Sequence, residues 1–141
     1  MRKIRLNNLY LAYRILGHTA FTRKILKRII KSRVESYGSY AIALDFDGVV
    51  TKENTFPEIS PPNFKVISAV RFLHSQGVKF VLYTCREGDT LQEAKWFCAR
   101  HNVPYDKANE NLEERIIKYQ NDSRKIGADE YWDDMSINYW N

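Results

Sequence analysis

Apolar residues recur at three- and four-residue intervals through Leu6, Leu9, Tyr10, Tyr13, Leu16, Ala20 and Phe21, a spacing that predicts helix over residues 4–35. Gly17-His18-Thr19 breaks this stretch into two helices, with Thr22 the expected cap of the second and Ile25, Leu26, Ile29 and Ile30 its apolar stripe. Ser36-Tyr37-Gly38-Ser39 reads as a linker. From Tyr40 the pattern changes. Tyr40-Ala41-Ile42-Ala43-Leu44 is a short continuous apolar run, read as a buried strand over 40–45. A loop containing Pro57, Ser60, Pro61 and Pro62 follows, with Ser60 expected to cap a helix that carries proline in its first turn, buries Val66, Val70 and Leu73, and stops near Gly77. Residues 78–84 read as a second strand. Asp89 with Gln92 has the spacing of a capping box and opens a helix over 90–101 that buries Leu91, Ala94, Phe97 and Cys98, with Trp96 also packed. Asn111 with Glu114 opens another, with Leu112, Ile116 and Tyr119 inward. A turn over 123–127 then leads to a strand over 129–133. Strands separated by helices of this length imply right-handed crossovers and a parallel sheet, hence an α/β fold.

Charge divides the chain where the pattern changes. Residues 1–37 hold ten Lys/Arg and the single acid Glu35, while residues 38–141 hold twelve Lys/Arg and sixteen acids. The overall net charge of +5 therefore belongs to the N-terminal segment. We divide the 141 residues into a basic helical extension (1–37) and a catalytic-type domain (38–141). Cys85 and Cys98 form neither a disulfide framework nor a metal-site spacing, which sets a reducing, cytoplasmic location as the expectation. No apolar run approaches the ~20 residues that span a bilayer. Arg14 interrupts the run a signal peptide would need.

Three strands end in polar residues: Asp45 and Asp47 after the first, Thr84 after the second, and Asp133-Asp134 after the last. Parallel strands bring equivalent ends to one edge, where open α/β sheets place their ligands. Four carboxylates gathered there would repel one another without a cation. Asp45, Asp47, Asp133 and Asp134 are therefore the candidate metal group, and a hard divalent ion, Mg²⁺, suits oxygen ligands completed by a substrate phosphate. In this chemistry Asp45 attacks phosphorus and becomes an aspartyl phosphate. Asp47 protonates the leaving oxygen and then activates water. Thr84 holds phosphoryl oxygens, and Lys125 neutralises developing charge. Thr84, Cys85 and Arg86 form the candidate substrate-binding loop, although a salt bridge from Arg86 to Glu87 or Asp89 is an equally open reading of the arginine, and a buried, inert thiol is the preferred reading of Cys85 itself.

Asp45-x-Asp47-Gly48-x-x-Thr51, the strand ending at Thr84, Lys125, and Asp133-Asp134 stand in the order of the four motifs of haloacid dehalogenase-like (HAD) phosphohydrolases, which the chain resembles over roughly residues 40–136. Tyr83-Thr84-Cys85-Arg86-Glu87-Gly88 and Ser123-Arg124-Lys125-Ile126-x-Ala128-Asp129 resemble the minimal bacterial and phage members. The resemblance implies a Rossmann-like three-layer sandwich, Mg²⁺ dependence, a phosphoenzyme on Asp45, and an Asp47 that offers the metal its main-chain carbonyl. Residues 51–62 are too few for a cap domain, and the 41-residue step from Thr84 to Lys125 leaves no room for another. The expected partner is a phosphorylated small molecule or polymer end. The rival reading is a non-catalytic protein of the same fold that uses its basic helices to touch nucleic acid or an anionic membrane. Those helices are also a candidate for a lid or for a homo-oligomer contact.

Overall fold

Alternation of side chains decides how the sheet is covered. In the computed structural model, which describes residues 8–135 and 137, strand β1 (Ala41–Leu44) is buried along its whole length. Ile42 and Leu44 join a large core on one face, and Ala41 and Ala43 a smaller one on the other, as a period of two requires. β1 pairs in parallel with β2 (Lys79–Leu82) on one side and with β4 (Glu130–Trp132) on the other. A short β3 (Lys107–Ala108) extends the sheet beyond β2, in the order β3-β2-β1-β4.

The large core is closed by α1 (Leu9–Leu16), α2 (Ala20–Tyr37), α3 (Phe64–Ser75) and α4 (Gly88–Arg100), which supply Leu9, Leu26, Val70 and Phe97 among others. On the opposite face Leu112, at the start of α5 (Glu113–Tyr119), and Ile126 pack against Ala41, Ala43 and Val81. The result is an α/β, Rossmann-like three-layer arrangement with a helical extension. The chain steps outward from β1 to β3 through α3 and α4, then returns through α5 to β4. Because crossovers are right-handed, the return runs over the other face. Strand order therefore reverses between β1 and β4, and the crevice at their carboxyl ends is the switch point of the sheet.

Strand β4 is unusually polar, and Glu130 explains how it is buried. Its carboxylate accepts the Leu9 N–H (2.9 and 3.1 Å), the Tyr40 hydroxyl (2.6 Å) and the Trp132 indole N–H (3.1 Å), with Arg33 at 3.6 Å. Burial pushes the Glu130 carboxyl above its ordinary range, against the opposing pull of these donors. Trp132 meets the rings of Tyr10 and Phe80 edge-on, at 5.2 and 5.7 Å. Glu130→Ala leaves several buried donors without an acceptor, so a loss of about 2–4 kcal/mol in urea unfolding is expected, against about 1 kcal/mol for Glu130→Gln, which keeps an acceptor.

Several local expectations are corrected. Thr19, not Thr22, caps α2, accepting the Thr22 N–H at 3.2 Å. The linker begins later than expected, since α2 runs on to Tyr37 and ends at Gly38 with φ +77°. Phe21 and Ile25, expected in the inward stripes, are exposed because Leu26 and Ile30 set the buried face. Leu6 lies outside the described residues. Ser60 does not cap α3, which starts at Phe64; its hydroxyl instead exchanges hydrogen bonds with the main chain of Glu53. The first turn of α4 is closed by Glu87 and Thr90 rather than Asp89 and Gln92, because the helix begins earlier than expected. Asn111 does not cap α5: its amide binds Asp122, Ser123 and Gly127, stapling the turn before β4. Arg115, paired with Asp129 at 2.6 Å, is the buried residue of α5, while Tyr119 and, on α4, Trp96 are exposed.

Candidate functional site

The chain leaves β1 at Asp45 and turns sharply through Phe46–Val50, closed by a hydrogen bond from Thr51 N–H to Phe46 C=O at 3.2 Å. Gly48 sits at φ +82°, a conformation that favours glycine. Its N–H donates to Thr51 Oγ1 at 3.0 Å, so Thr51 braces the turn. Asp45 is tied to the neighbouring strand through its N–H, which donates to Trp132 C=O at 3.0 Å. Asp134 stands across the crevice: a Cβ built on Gly48 would lie 3.5 Å from the Asp134 Cβ.

These carboxylates act on one another. Burial raises the Asp45 carboxyl to about 6, and the charges of Asp47, Asp134 and Asp133 push in the same direction. A carboxyl with a folded-state pKa above its ordinary 3.8 contributes stability at low pH and loses it as pH rises through about 6. In chelator-containing buffer, Asp45→Asn is therefore expected to raise thermal stability above pH 6 by about 1–2 kcal/mol, discounted for solvent screening, with little gain near pH 4. Thermal melts of the two proteins across this range check the sign.

Asp47 is buried, and Arg86 grips it with two hydrogen bonds of 2.7 Å, from Nε to Oδ2 and from Nη2 to Oδ1. The guanidinium is completely buried. It also donates to the carbonyls of Pro57 (3.2 Å), Glu58 (3.0 Å) and Thr90 (3.4 Å), and lies between the rings of Phe46 and Phe56. Arg86 thus faces inward, pairing with Asp47 rather than Glu87 or Asp89, and its donors are engaged by protein. Pro57 and Glu58 belong to a flap whose base is closed by pairing of Thr51 with Pro62 and by Lys52 N–H to Pro61 C=O at 2.9 Å. Between the flap and α4, an open groove of about 610 Å³ is lined by Ile59, Pro61, Trp96 and Phe97 among others.

Thr84 lies at the end of β2. Its N–H is taken by Asn109 Oδ1 at 2.9 Å, and its Oγ1 accepts the Arg86 N–H at 3.2 Å. Asn109 also donates to Arg86 C=O at 3.1 Å, pinning the Thr84–Arg86 loop from the end of β3. Its backbone is left-handed, φ +54°. The sequence reading missed Asn109; its position just past the unpredicted strand β3 was the only available signal. Cys85 is exposed, against the buried reading, while Cys98 is buried and free. Lys125 is not drawn to the carboxylates: its ammonium lies 4.9 Å from the Tyr131 ring centroid. The structure thus gathers Asp45, Asp47, Asp134, Thr84 and Arg86 around the switch point, with Asp133 acting on Asp45 from beside it and Lys125 at the periphery.

As placed, no three His, Cys, Asp or Glu side chains among the described residues are grouped to hold a metal. A hard divalent ion needs fewer, because Mg²⁺ is bound through one or two carboxylates, with waters and phosphate completing its shell. Asp45, Asp134 and the main-chain carbonyl of Asp47, whose carboxylate is held by Arg86, fit such a donor set; burial is what chiefly raises the Asp45 carboxyl, and the neighbouring carboxylates, whose charge a cation would offset, add to it.

Among the described residues no helix is long and apolar enough to cross a membrane. No protein-family model matches the chain, and no curated protein does either. A solved structure of a conserved protein from Bacteroides thetaiotaomicron is similar to it, with 29% identity and a TM-score of 0.61 over 71% of this chain and 79% of that one.

Proposed function

We propose that the protein is a Mg²⁺-dependent phosphohydrolase of the haloacid dehalogenase-like type, cleaving a phosphate monoester through an aspartyl phosphate on Asp45. The observation that carries this reading is the meeting of Asp45, Asp47 and Asp134 at the sheet's switch point, where burial also raises the Asp45 carboxyl. Such a group needs positive charge nearby to act as a nucleophile at neutral pH.

An Asp45 oxygen forms a bond to phosphorus as the bond from phosphorus to the leaving oxygen breaks. Asp47, ionised in its pair with Arg86, takes the proton that the phosphate monoester brings as its monoanion and passes it to that oxygen, then accepts one from the water that attacks phosphorus and frees Asp45. Arg86 engages one lone pair on each Asp47 oxygen, leaving a second on each for this transfer. The Thr84 hydroxyl hydrogen, left over by an Oγ1 that accepts the Arg86 N–H, orients a phosphoryl oxygen. Asp45, Asp134 and the Asp47 carbonyl would hold Mg²⁺, which would neutralise charge on the phosphoryl group when bound. Lys125, whose ammonium rests on the Tyr131 ring, takes no part in these steps as placed. The substrate in this reading is a phosphorylated small molecule or the phosphorylated end of a polymer, met at the crevice beside the short flap. The free Cys85 and Cys98 suit a reducing compartment such as the cytoplasm. Hydrolysis of an aryl phosphate that requires Mg²⁺ and Asp45 tests the reading; equal rates for the parent protein and Asp45→Asn would remove it.

A further inference from the structure

We infer that the outer face of α2 is a docking surface for an anionic lipid membrane. Two of the six cations on this helix serve the fold: Arg23 donates to Gly17 C=O at 2.6 Å and covers the Phe72 ring, and Arg33 is half-buried against Glu130 and Tyr40. The other four, Lys24, Lys27, Arg28 and Lys31, are exposed. They fall into two i, i+4 rows, Lys24/Arg28 and Lys27/Lys31. Beside the first runs a third row, Phe21/Ile25, with the Phe21 side chain 74% exposed and Ile25 39%. The only acid on the helix, Glu35, sits 4.0 Å from Lys31. The buried stripe of α2 is already filled by Leu26 and Ile30, so the core has no use for the Phe21/Ile25 row.

Cations alone would suit any polyanion. The apolar row decides between them. A nucleic-acid backbone would engage the lysines and the arginine but offer nothing to the apolar row of Phe21 and Ile25. A lipid interface takes both halves of the pattern, with anionic headgroups against the two basic rows and acyl chains beneath the apolar one. Nothing in this surface depends on the phosphohydrolase reading.

The test is co-sedimentation of the full chain with vesicles of phosphatidylcholine containing one-third phosphatidylserine, beside pure phosphatidylcholine vesicles. Binding to the anionic vesicles is expected to be at least about tenfold tighter, and to weaken at high salt. Phe21→Ser with Ile25→Ser, and separately Lys24→Gln with Arg28→Gln, are each expected to weaken it by about tenfold, whereas Lys65→Gln on α3 leaves it unchanged. Circular dichroism confirms that these surface variants fold. Four results overturn the inference: no preference for anionic vesicles; insensitivity to the Phe21/Ile25 pair; tighter capture by duplex RNA or DNA that displaces the vesicles; or a dimer in solution that the Phe21/Ile25 pair dissolves.

Discussion

Asp45→Asn is expected to lower Mg²⁺-dependent aryl-phosphate hydrolysis by at least about 10³-fold, a loss of about 4 kcal/mol of transition-state stabilisation. The amide keeps the shape of the side chain and its place beside Phe46, so the loss is chemical rather than structural. The same substitution is predicted to strengthen the metal-free fold above pH 6, because it removes a charge that burial and three neighbouring carboxylates disfavour. A single change that stabilises the protein and abolishes its turnover is the signature of a group kept for its reactivity. Steady-state rates and melts on one preparation read both effects. An inactive parent protein would remove the enzymatic reading, while a destabilised variant would contradict the electrostatic account of the crevice.

Arg86→Gln is expected to cost about 3–5 kcal/mol in unfolding free energy, because it leaves the Asp47 carboxylate buried without its counter-charge and releases the flap carbonyls of Pro57 and Glu58. Arg86→Lys retains charge but not the planar fork, so a smaller stability loss and a fall of about tenfold or more in turnover are expected where the protein stays folded. Combining Arg86→Gln with Asp47→Asn should cost less than the two changes added, since each alone breaks the same pair. Urea titrations of the four proteins measure that coupling. Additive losses would mean the bidentate contact contributes nothing beyond its separate halves.

The sheet was legible because its inner strands carry local signals: a continuous apolar run at 40–44 and an apolar run at 78–82 broken by Lys79, bounded by polar residues and separated by helical periodicity. Strand β3 was not. At two residues, Lys107 and Ala108, it is held by pairing with β2 rather than by any pattern of its own. Helix starts were misplaced where a capping residue has competing uses. Ser60 and Asn111 have the right chemistry for caps, but both satisfy nearby loops instead. Phe21 and Ile25 were misassigned because a helix with apolar residues on more than one side does not declare which side is buried; contact with α1 and the core settles it. In the site, the strand-end position of Asp45 and Asp134 could be read from the chain. The inward turn of Arg86 could not, since its partner lies 39 residues earlier and arginine beside a loop is ordinarily solvated. Glu130 escaped for the same reason: its partners are scattered from Leu9 to Trp132.

The way the flap is fastened makes it a natural port for added sequence. Its base is stitched by Thr51 with Pro62 and by Lys52 with Pro61, and its far limb is held by Arg86 through Pro57 and Glu58. New residues spliced between Asn54 and Thr55 would lengthen the near limb while sparing every one of those fastenings. Lengthening a surface loop carries only a small entropic penalty, about 0.6 kcal/mol per doubling. A small minimal scaffold of this kind could therefore acquire a roof, and with it a narrower choice of molecules, without any change to the sheet beneath.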